Sequence, residues 1–391
     1  MYYFDNAATT FVDKRVYESM VPYLTTEGWN PSSLYDGGQK TMQKVQECRE
    51  SIAKSIGAKA SEIFFTSCGT ESDNWAIIGT CRKLKDKGKH IITSAIEHHA
   101  IMSTCEYLEK NGYEITYLPV DEYGFVNLDD LKNAIREDTI LVTIMYANNE
   151  IGTIEPIKEI GAICREKGVY FHTDAVQAYT HVPIDVEKEN IDMLSVSAHK
   201  FHAPKGIGFL YIRKGIKIDN LIFGGQQEKG KRAGTENVPY IVAMDTAQKI
   251  AFENIDENIK KESELRDYTI NRILTEIPYT RLNGDKTKRL PNNVNISIRY
   301  IEGESMLLML EEKGICASTG SACASGSLDP SHVLLAIGLP HEIAHGSLRL
   351  SFNSETTKAQ CDYVVDSLKE VVAYLRNMSP LYEDFIKNNI K

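Results

Sequence analysis

Short apolar runs rich in β-branched residues alternate with longer stretches of helical spacing through the first half of the chain. Each run is predicted to be a strand, and polar side chains follow directly where it ends. In chain order the runs are EIFFTSC, HIITSAIE, EITYLPV, TILVTIMYAN, YFHTDAV, MLSVSAH and IGFLYIR. Near-continuous apolar strands that alternate with helices indicate an α/β fold with a mostly parallel, seven-stranded sheet covered on both faces.

The last two runs are joined differently from the others. Only KFHAPKG separates MLSVSAH from IGFLYIR, and a parallel crossover needs about a dozen residues. We therefore expect the final strand to run antiparallel to its neighbour. From about residue 250 strands become fewer and charged helices longer, which predicts a smaller α/β domain. Since one core seldom exceeds about 250–300 residues, we expect a large domain over residues 15–250 and a small domain formed by 1–14 and 251–391.

Composition narrows the class of protein. With 391 residues, 42% hydrophobic residues and a net charge of −10, the chain is typical of an ordinary globular protein. The negative charge gives no general attraction to nucleic acid or to acidic lipid surfaces. Eight cysteines without a C-x-x-C pair indicate reduced thiols. No signal sequence or apolar run of about 18 residues is recognisable, so we expect a cytoplasmic protein.

Two strand ends carry residues suited to pyridoxal 5′-phosphate (PLP). In such sheets ligands bind beyond the carboxyl ends of the strands. Lys200, in SAHK, has an amine that forms a Schiff base once it is deprotonated. Asp174, in HTDAVQ, is placed to keep a pyridine nitrogen protonated. Taken singly, a turn lysine and a helix-capping aspartate are the commoner interpretations.

Three further positions suggest ligand contacts. The segment Cys68-Gly69-Thr70 follows a strand and precedes a helix, so its backbone amides can hold a phosphate or simply cap the helix. His98, directly after a strand, is suited to stacking on a ring or to moving protons. Arg349, in SLRLSF, is either a clamp for a substrate carboxylate or part of a solvated strand face.

The sequence disfavours a P-loop and a zinc site. The segment GQQEKGKR contains G-x-x-x-x-G-K, but Arg232 stands where a P-loop needs Ser or Thr, and Glu228 would lie beside the phosphates. Zinc is disfavoured because His98, His99, His199 and His202 show no recognised ligand spacing. No metal site is predicted.

A run of small residues, STGSACASGS at 318–327, contains Cys323. Little in it can pack against a core, so we expect a mobile loop over about 318–328. A thiol on an exposed loop is unusual because free cysteines are generally buried and an exposed one is oxidised readily. Cys323 is therefore a candidate nucleophile, with an incidental loop thiol as the alternative.

Together these segments resemble the cysteine desulfurases, the NifS/IscS-type members of the class-V aminotransferase-like, fold-type I PLP enzymes. The resemblance covers nearly the whole chain. Its motifs occur in the family's order: YFDNAATT, NPSSLYDGG, TSCGTESDNW, EHHA, YANNEIGT, HTDAVQ, SAHKFHAPKGIG, RAGTENVP and STGSACASGSLDPSHVL. So many ordered motifs outweigh the alternatives given for single residues.

The resemblance implies a role for each matching residue. Lys200 would bind PLP covalently, Asp174 would pair with the pyridine nitrogen, and Cys323 would be the nucleophile. Gly69, Thr70, Ser197 and His199 would contact the cofactor phosphate, and Thr235 would contact the phosphate bound in the other subunit. Gln177 would contact the ring hydroxyl and His98 the ring face. Asn149 would lie beside the ring and the substrate, and Arg349 would bind the substrate carboxylate. The resemblance also implies a homodimer that converts L-cysteine to L-alanine. Its sulfur would be carried as a persulfide on Cys323 and passed to acceptor proteins. These acceptors would belong to iron–sulfur cluster assembly or to tRNA or cofactor thiolation.

The chain departs from the family pattern in several places. Tyr35 replaces a histidine, Cys68 replaces a glycine, and Asn353-Ser354-Glu355 stands where an arginine is common. The C-terminal segment is also shorter than the tail with which some members dock an iron–sulfur scaffold. Two alternatives stay open at this point: a selenocysteine lyase, and a sulfur-relay or scaffold protein that keeps the fold without the activity.

Overall fold

The computed structural model describes residues 1–319 and 330–389. Its strands are β1 (Tyr2–Tyr3), β2 (Ile63–Thr66), β3 (His90–Ser94), β4 (Glu114–Leu118), β5 (Thr139–Thr143), β6 (Tyr170–Asp174), β7 (Met193–Ser197), β8 (Gly208–Ile212), β9 (Thr280–Leu282), β10 (Asn293–Ile298), β11 (Ile315–Cys316) and β12 (Ser347–Ser351). Its helices are α1 (Lys14–Leu24), α2 (Asp36–Ser55), α3 (Gly69–Leu84), α4 (His99–Lys110), α5 (Leu128–Ala134), α6 (Ile157–Lys167), α7 (Gln227–Gly230), α8 (Val238–Glu253), α9 (Ile255–Glu276), α10 (Gly303–Glu312), α11 (His332–Ala336), α12 (His341–His345), α13 (Lys358–Asn377) and α14 (Pro380–Asn389).

The main sheet has seven strands in the order β2-β8-β7-β6-β5-β3-β4. Strands β4, β3, β5, β6 and β7 are parallel, and β8 is antiparallel to β7 with Met193 opposite Ile212. The predicted α/β fold, the seven strands and the reversed final strand are therefore confirmed. Strand β2 pairs antiparallel with β8, which returns it to the direction of the parallel set.

Helices cover both faces of this sheet because its strands are apolar on both sides. On one face Val16 of α1, Ile52 of α2 and Ile160 of α6 belong to one continuous apolar core. On the other face Trp75 of α3 and Ile101 of α4 belong to a second apolar layer. In the described part of the chain, no helix is long and apolar enough to cross a bilayer.

A smaller antiparallel sheet, in the order β12-β10-β9, packs against α9, α10 and α13. Apolar residues of this sheet and of its helices, among them Ile296 on β10, Leu350 on β12 and Leu368 on α13, form a cluster of their own. The two-domain division agrees with these separate cores and stays a prediction, as do its boundaries.

Residues 2–10, here called the N-terminal strap, run between the two sheets. Ser351 on β12 donates its backbone N–H to the Phe4 carbonyl at 2.7 Å. Further along, the backbone N–H of Thr10 donates to the His199 carbonyl at 2.9 Å, next to the end of β7. The strap therefore fixes the small sheet against the carboxyl edge of the large one.

Candidate active site

A cavity of about 470 Å³ lies at the carboxyl ends of the parallel strands. Chain direction explains its position, because the loops after β2, β3, β5, β6 and β7 all open on this edge. The predicted residues that line it are Gly69, Thr70, His98, Asn149, Asp174, Gln177, Ser197, His199, Lys200 and Arg349. Thr235 is exposed and does not line this cavity. Cys323 lies outside the described residues.

Lys200 ends a short 3₁₀ turn, Ala198–Lys200, directly after β7. Its Nζ donates hydrogen bonds to the backbone carbonyls of Ala7 at 2.6 Å and Ala8 at 2.8 Å. Gln177 Nε2 also donates to the Ala7 carbonyl, at 2.9 Å. The N-terminal strap thus forms one wall of the cavity beside the lysine. The sequence analysis did not predict this wall, since backbone carbonyls have no sequence signature.

Asp174 ends β6, and its Oδ1 accepts the Val176 backbone N–H at 2.8 Å. Burial raises the pKa of Asp174 to about 6, against the lowering effect of Lys200. A second carboxyl, that of Asp73 on α3, also lines the cavity, and its Oδ1 lies 3.7 Å from His172 Nε2. Burial, followed by the charge of Asp174, raises the pKa of Asp73 well above its usual range. Asp73 was missed in the sequence because an aspartate inside a helix suggests an exposed face.

His98 is the N-cap of α4, and its Nδ1 accepts the backbone N–H of Ala100 at 3.1 Å. Because Nδ1 is an acceptor, the hydrogen-bond pattern assigns the ring proton of neutral His98 to Nε2. Burial, with Lys200 adding to it, lowers the pKa of His98 to about 4. At neutral pH the side chain is therefore an uncharged ring.

Helix α3 begins at Gly69, and its N-cap Cys68 makes no capping hydrogen bond through its side chain. Gly69 and Thr70 of the first turn line the cavity together with Ser197. A Cβ at Gly69 would lie 2.7 Å from Val176 Cγ2, so only glycine lets the backbone pass this close. An uncapped helix N-terminus with nearby hydroxyls is a favourable site for a phosphate.

Arg349 on β12 is buried, so the alternative of a solvated strand face is wrong. Its Nη1 donates to the Asn149 carbonyl at 3.0 Å, and its Nη2 donates to Asp5 Oδ1 at 2.9 Å. Its Nε has no hydrogen-bond partner within residues 1–319 and 330–389. The Nε–H of Arg349 is therefore a buried donor that these hydrogen bonds leave unpaired.

Two glutamates in the cavity wall were also missed. Glu97 Oε1 accepts the Ser94 hydroxyl at 2.6 Å and the Met145 backbone N–H at 3.0 Å. Burial raises the pKa of Glu97 to about 8. Glu150 accepts a hydrogen bond from Ser331, and burial raises its pKa to about 7. Both glutamates follow strand ends, and this position was the available signal in the sequence.

The segment GQQEKGKR, which the sequence analysis rejects as a P-loop, has a structural role. Glu228 and Lys229 adopt left-handed backbone conformations inside α7, which is only four residues long. Both carboxylate oxygens of Glu228 bind the guanidinium of Arg49, at 2.6 and 2.7 Å, with both side chains buried.

Tyr35, which stands where the family has a histidine, is exposed beside Trp29 and does not line the cavity.

Comparisons with known proteins agree with this arrangement. The family model described as aminotransferase class-V matches residues 2–364. A cysteine desulfurase IscS of Clostridium botulinum is 57% identical, with 99% of this chain and 98% of the relative covered. One of Methanosarcina thermophila is 59% identical, with 97% and 94% covered.

Solved structures give the same result. A NifS-like protein superposes with a TM-score of 0.90 and 39% identity, with 96% of this chain and 100% of that one covered. The structure described as SspA in complex with cysteine gives a TM-score of 0.82 and 37% identity, with 91% and 100% covered. Motifs, fold and comparisons therefore place the chain in the class-V aminotransferase family and, within it, among the cysteine desulfurases.

Proposed function

We propose that this protein is a PLP-dependent cysteine desulfurase that converts L-cysteine to L-alanine and carries the sulfur as a persulfide on Cys323. Members of its family depend on PLP in general. The observation that carries the proposal is the convergence of Lys200, Asp174 and Arg349 with an uncapped helix N-terminus on one cavity. Each of these groups matches a different part of the cofactor or the substrate.

The residues present fit PLP. Lys200 would attach the aldehyde, the Asp174 carboxylate would pair with the pyridine nitrogen, and the uncapped start of α3 at Gly69 would hold the phosphate. Further contacts would come from Thr70, Ser197 and His199 to the phosphate, from Gln177 to the ring hydroxyl, and from His98 to the ring face. Bound PLP would draw electrons from the substrate α-carbon and so make its proton acidic.

Substrate would be held by its carboxylate. Arg349 lines the cavity, and its hydrogen bonds to Asn149 and Asp5 use only two of its five N–H donors. Asn149 lines the cavity next to it. The Lys200 amine, as a base, would take the α-proton, while His98 presents its Nε2–H as a neutral donor. Fixed groups of this kind save the entropy of orienting the substrate during reaction.

Sulfur transfer is assigned to Cys323 from the family resemblance. Its thiolate would attack the substrate sulfur, so that a new S–S bond forms as the substrate's C–S bond breaks. The carbon fragment would take up protons and leave as alanine. The persulfide would then pass to an acceptor protein of iron–sulfur cluster assembly or of tRNA or cofactor thiolation. Thr235 of the partner subunit would complete the phosphate site in a homodimer.

The test compares two cysteines. Purified protein loaded with PLP is given L-cysteine, and both alanine and protein-bound persulfide are measured. Cys323→Ser should keep the cofactor absorbance but lose persulfide and alanine formation. Cys316→Ser is the matched control, because Cys316 is a partly exposed thiol that does not line the cavity, and it should keep both. Undiminished persulfide in Cys323→Ser would refute the assignment of the nucleophile, and absence of alanine from the wild type would refute the function.

A further inference from the structure

Three consecutive backbone carbonyls at the cavity wall accept hydrogen bonds from side chains of one region. The Asn149 carbonyl accepts from Arg349 at 3.0 Å. The Glu150 carbonyl accepts from the side-chain amides of both Asn293 and Asn295, each at 3.0 Å. The Ile151 carbonyl accepts from Arg289 Nη2 at 2.9 Å. These four donor side chains are here called the carbonyl clamp.

The small sheet places these donors on one face. Asn293 and Asn295 are two residues apart on β10, and Asn295 lies directly opposite Arg349 on β12. Side chains two apart on a strand, and side chains opposite each other across a pair, share a face. Asn293, Asn295 and Arg289 are 1%, 0% and 3% exposed. Because these side chains are buried, bulk water cannot replace a hydrogen-bond partner that is lost from them.

The amide groups are held in one orientation. Asn283 Nδ2 donates to Asn295 Oδ1 at 2.8 Å, and Arg289 Nη2 donates to Asn293 Oδ1 at 3.0 Å. Because each amide oxygen already accepts from a donor, each amide nitrogen is directed at the Glu150 carbonyl. The clamp is thus oriented by its own neighbours before anything binds in the cavity.

The Asn149–Ile151 backbone is also held by hydrogen bonds from its own neighbour, Asn148. Asn148 Oδ1 accepts the backbone N–H groups of Glu150 at 2.8 Å and Ile151 at 3.0 Å. Gly152 has a φ of +79°, and a Cβ there would lie 2.7 Å from Asn293 Oδ1. The segment therefore approaches β10 too closely for any larger residue.

We infer that Arg289, Asn293 and Asn295 are positioning residues that hold the Asn149–Ile151 backbone so that Asn149 lies in the cavity wall beside Arg349. This inference rests on the proposed function, in which those two residues meet the substrate. Arg289, Asn293 and Asn295 act through the backbone and, unlike Arg349, do not themselves line the cavity. It makes the small sheet part of the substrate site, since a shift of β10 would move the Asn149 segment with it.

The test uses Asn295→Asp, which replaces an amide donor by a carboxylate of the same size facing the Glu150 carbonyl. Asn292→Asp is the matched control, because Asn292 is equally buried but directs its amide at the Phe352 carbonyl, 3.5 Å away. Hydrogen exchange of the amides at 148–152 is measured in the PLP-loaded protein, together with kcat and KM for L-cysteine. Because Asn295→Asp removes a buried donor, hydrogen exchange of the amides at 148–152 should become at least about tenfold faster.

The kinetic readout separates positioning from a merely structural role. In Asn295→Asp we expect KM for L-cysteine to rise about fivefold or more while kcat changes less, since substrate binding groups are displaced. Asn292→Asp should change neither exchange nor KM. Equal values in the two variants, or faster exchange without a change in KM, would overturn the inference. If the wild type made no alanine, the proposed function would fail, while the exchange comparison would still decide whether the clamp holds the segment.

Two further measurements cover a variant that does not fold. Asn293→Ser removes one of the two donors on the Glu150 carbonyl and leaves Asn295 in place, so the same assays apply to it. In the wild type the amides at 148–152 should exchange as slowly as those of β10. Exchange there at the rate of exposed loops would contradict the clamp without any substitution.

Discussion

Arg349 Nη2 and Asp5 Oδ1 lie 2.9 Å apart, so the N-terminal strap supplies a negative charge to a buried guanidinium of the cavity wall. The Arg349 side chain is 3% exposed and that of Asp5 is 18% exposed. If Arg349 binds the substrate carboxylate as proposed, the pair has two effects on that binding. It fixes the direction of the arginine, and it offsets part of the positive charge that the carboxylate would meet.

Two substitutions at Asp5 separate these effects. Asp5→Asn keeps an acceptor oxygen but removes the charge, so KM for L-cysteine should fall about threefold. Asp5→Ala removes the acceptor as well, and loss of orientation should raise KM about tenfold. Steady-state kinetics at one pH measure both. Asp13→Asn, which breaks an exposed pair with Arg15, is the control and should leave KM unchanged. The same KM in both Asp5 variants would contradict the prediction.

Glu97 should make the stability of the apoprotein depend on pH. Its folded-state pKa of about 8 lies above the ordinary value of 4.5. The proton bound by Glu97 therefore stabilises the fold at low pH, and this contribution is lost as the pH rises through about 8. Between pH 7 and pH 9 the loss amounts to about 1 kcal/mol of the free energy of unfolding.

Glu97→Gln should show a smaller decrease between pH 7 and pH 9 than the wild type, as measured by urea unfolding of the apoprotein. The substitution itself lowers stability at both pH values, because a buried amide gains a donor without a partner. Glu106→Gln, on the exposed side of α4, is the control for loss of a glutamate. A decrease as large as that of the wild type would show that Glu97 does not release its proton in this range.

Gly69→Ala should weaken cofactor binding. Its Cβ would lie 2.7 Å from Val176 Cγ2 and would displace the first turn of α3. We expect the dissociation constant for PLP, measured by absorbance titration of the apoprotein, to rise at least about tenfold. The double variant Gly69→Ala/Val176→Ala removes the clash and should recover most of the affinity. Failure of this second substitution to help would mean that the contact is not the cause.

The buried pair of Arg49 and Glu228 should contribute strongly to stability. Glu228 also accepts the Phe65 backbone N–H at 3.0 Å, so Glu228→Gln leaves an uncompensated buried guanidinium. Loss of one partner from such a pair costs about 3–5 kcal/mol. Urea unfolding should show this decrease, whereas Glu18→Gln, which breaks an exposed pair with Lys14, should show none. Equal stability of the two variants would refute the estimate.

The sequence predicted the sheet well because each strand is short, apolar and bounded by polar residues. It predicted the reversed strand β8 because connection length restricts chain direction, and that restriction is local. It did not predict the position of β2 at the edge of the sheet beside β8, a strand far along the chain. Pairing across such distances depends on packing and has no pattern in the sequence.

The same contrast holds for the candidate site. Lys200, Asp174 and Gly69 were recognisable because strand ends of a parallel sheet meet at one edge. Asp5, Asn293 and Asn295 contact this site from the strap and the small sheet, and no spacing in the sequence relates them to it. The carbonyls of Ala7 and Ala8, which accept from Lys200, belong to the backbone, whose contacts no residue type reveals.

The strap also has a consequence for how this protein is made. Asn6 donates to the Ser351 carbonyl across 345 positions, and Lys200 bonds to Ala7 across 193. The ribosome must therefore release about half of the chain before Lys200 can bond to the strap, and nearly all of it before β12 can. Such distant pairings slow folding, because a long loop has to be closed first. A nascent chain that stalls before β12 would have its large sheet and the strap beside Lys200, but its pocket would lack the wall that Arg349 forms.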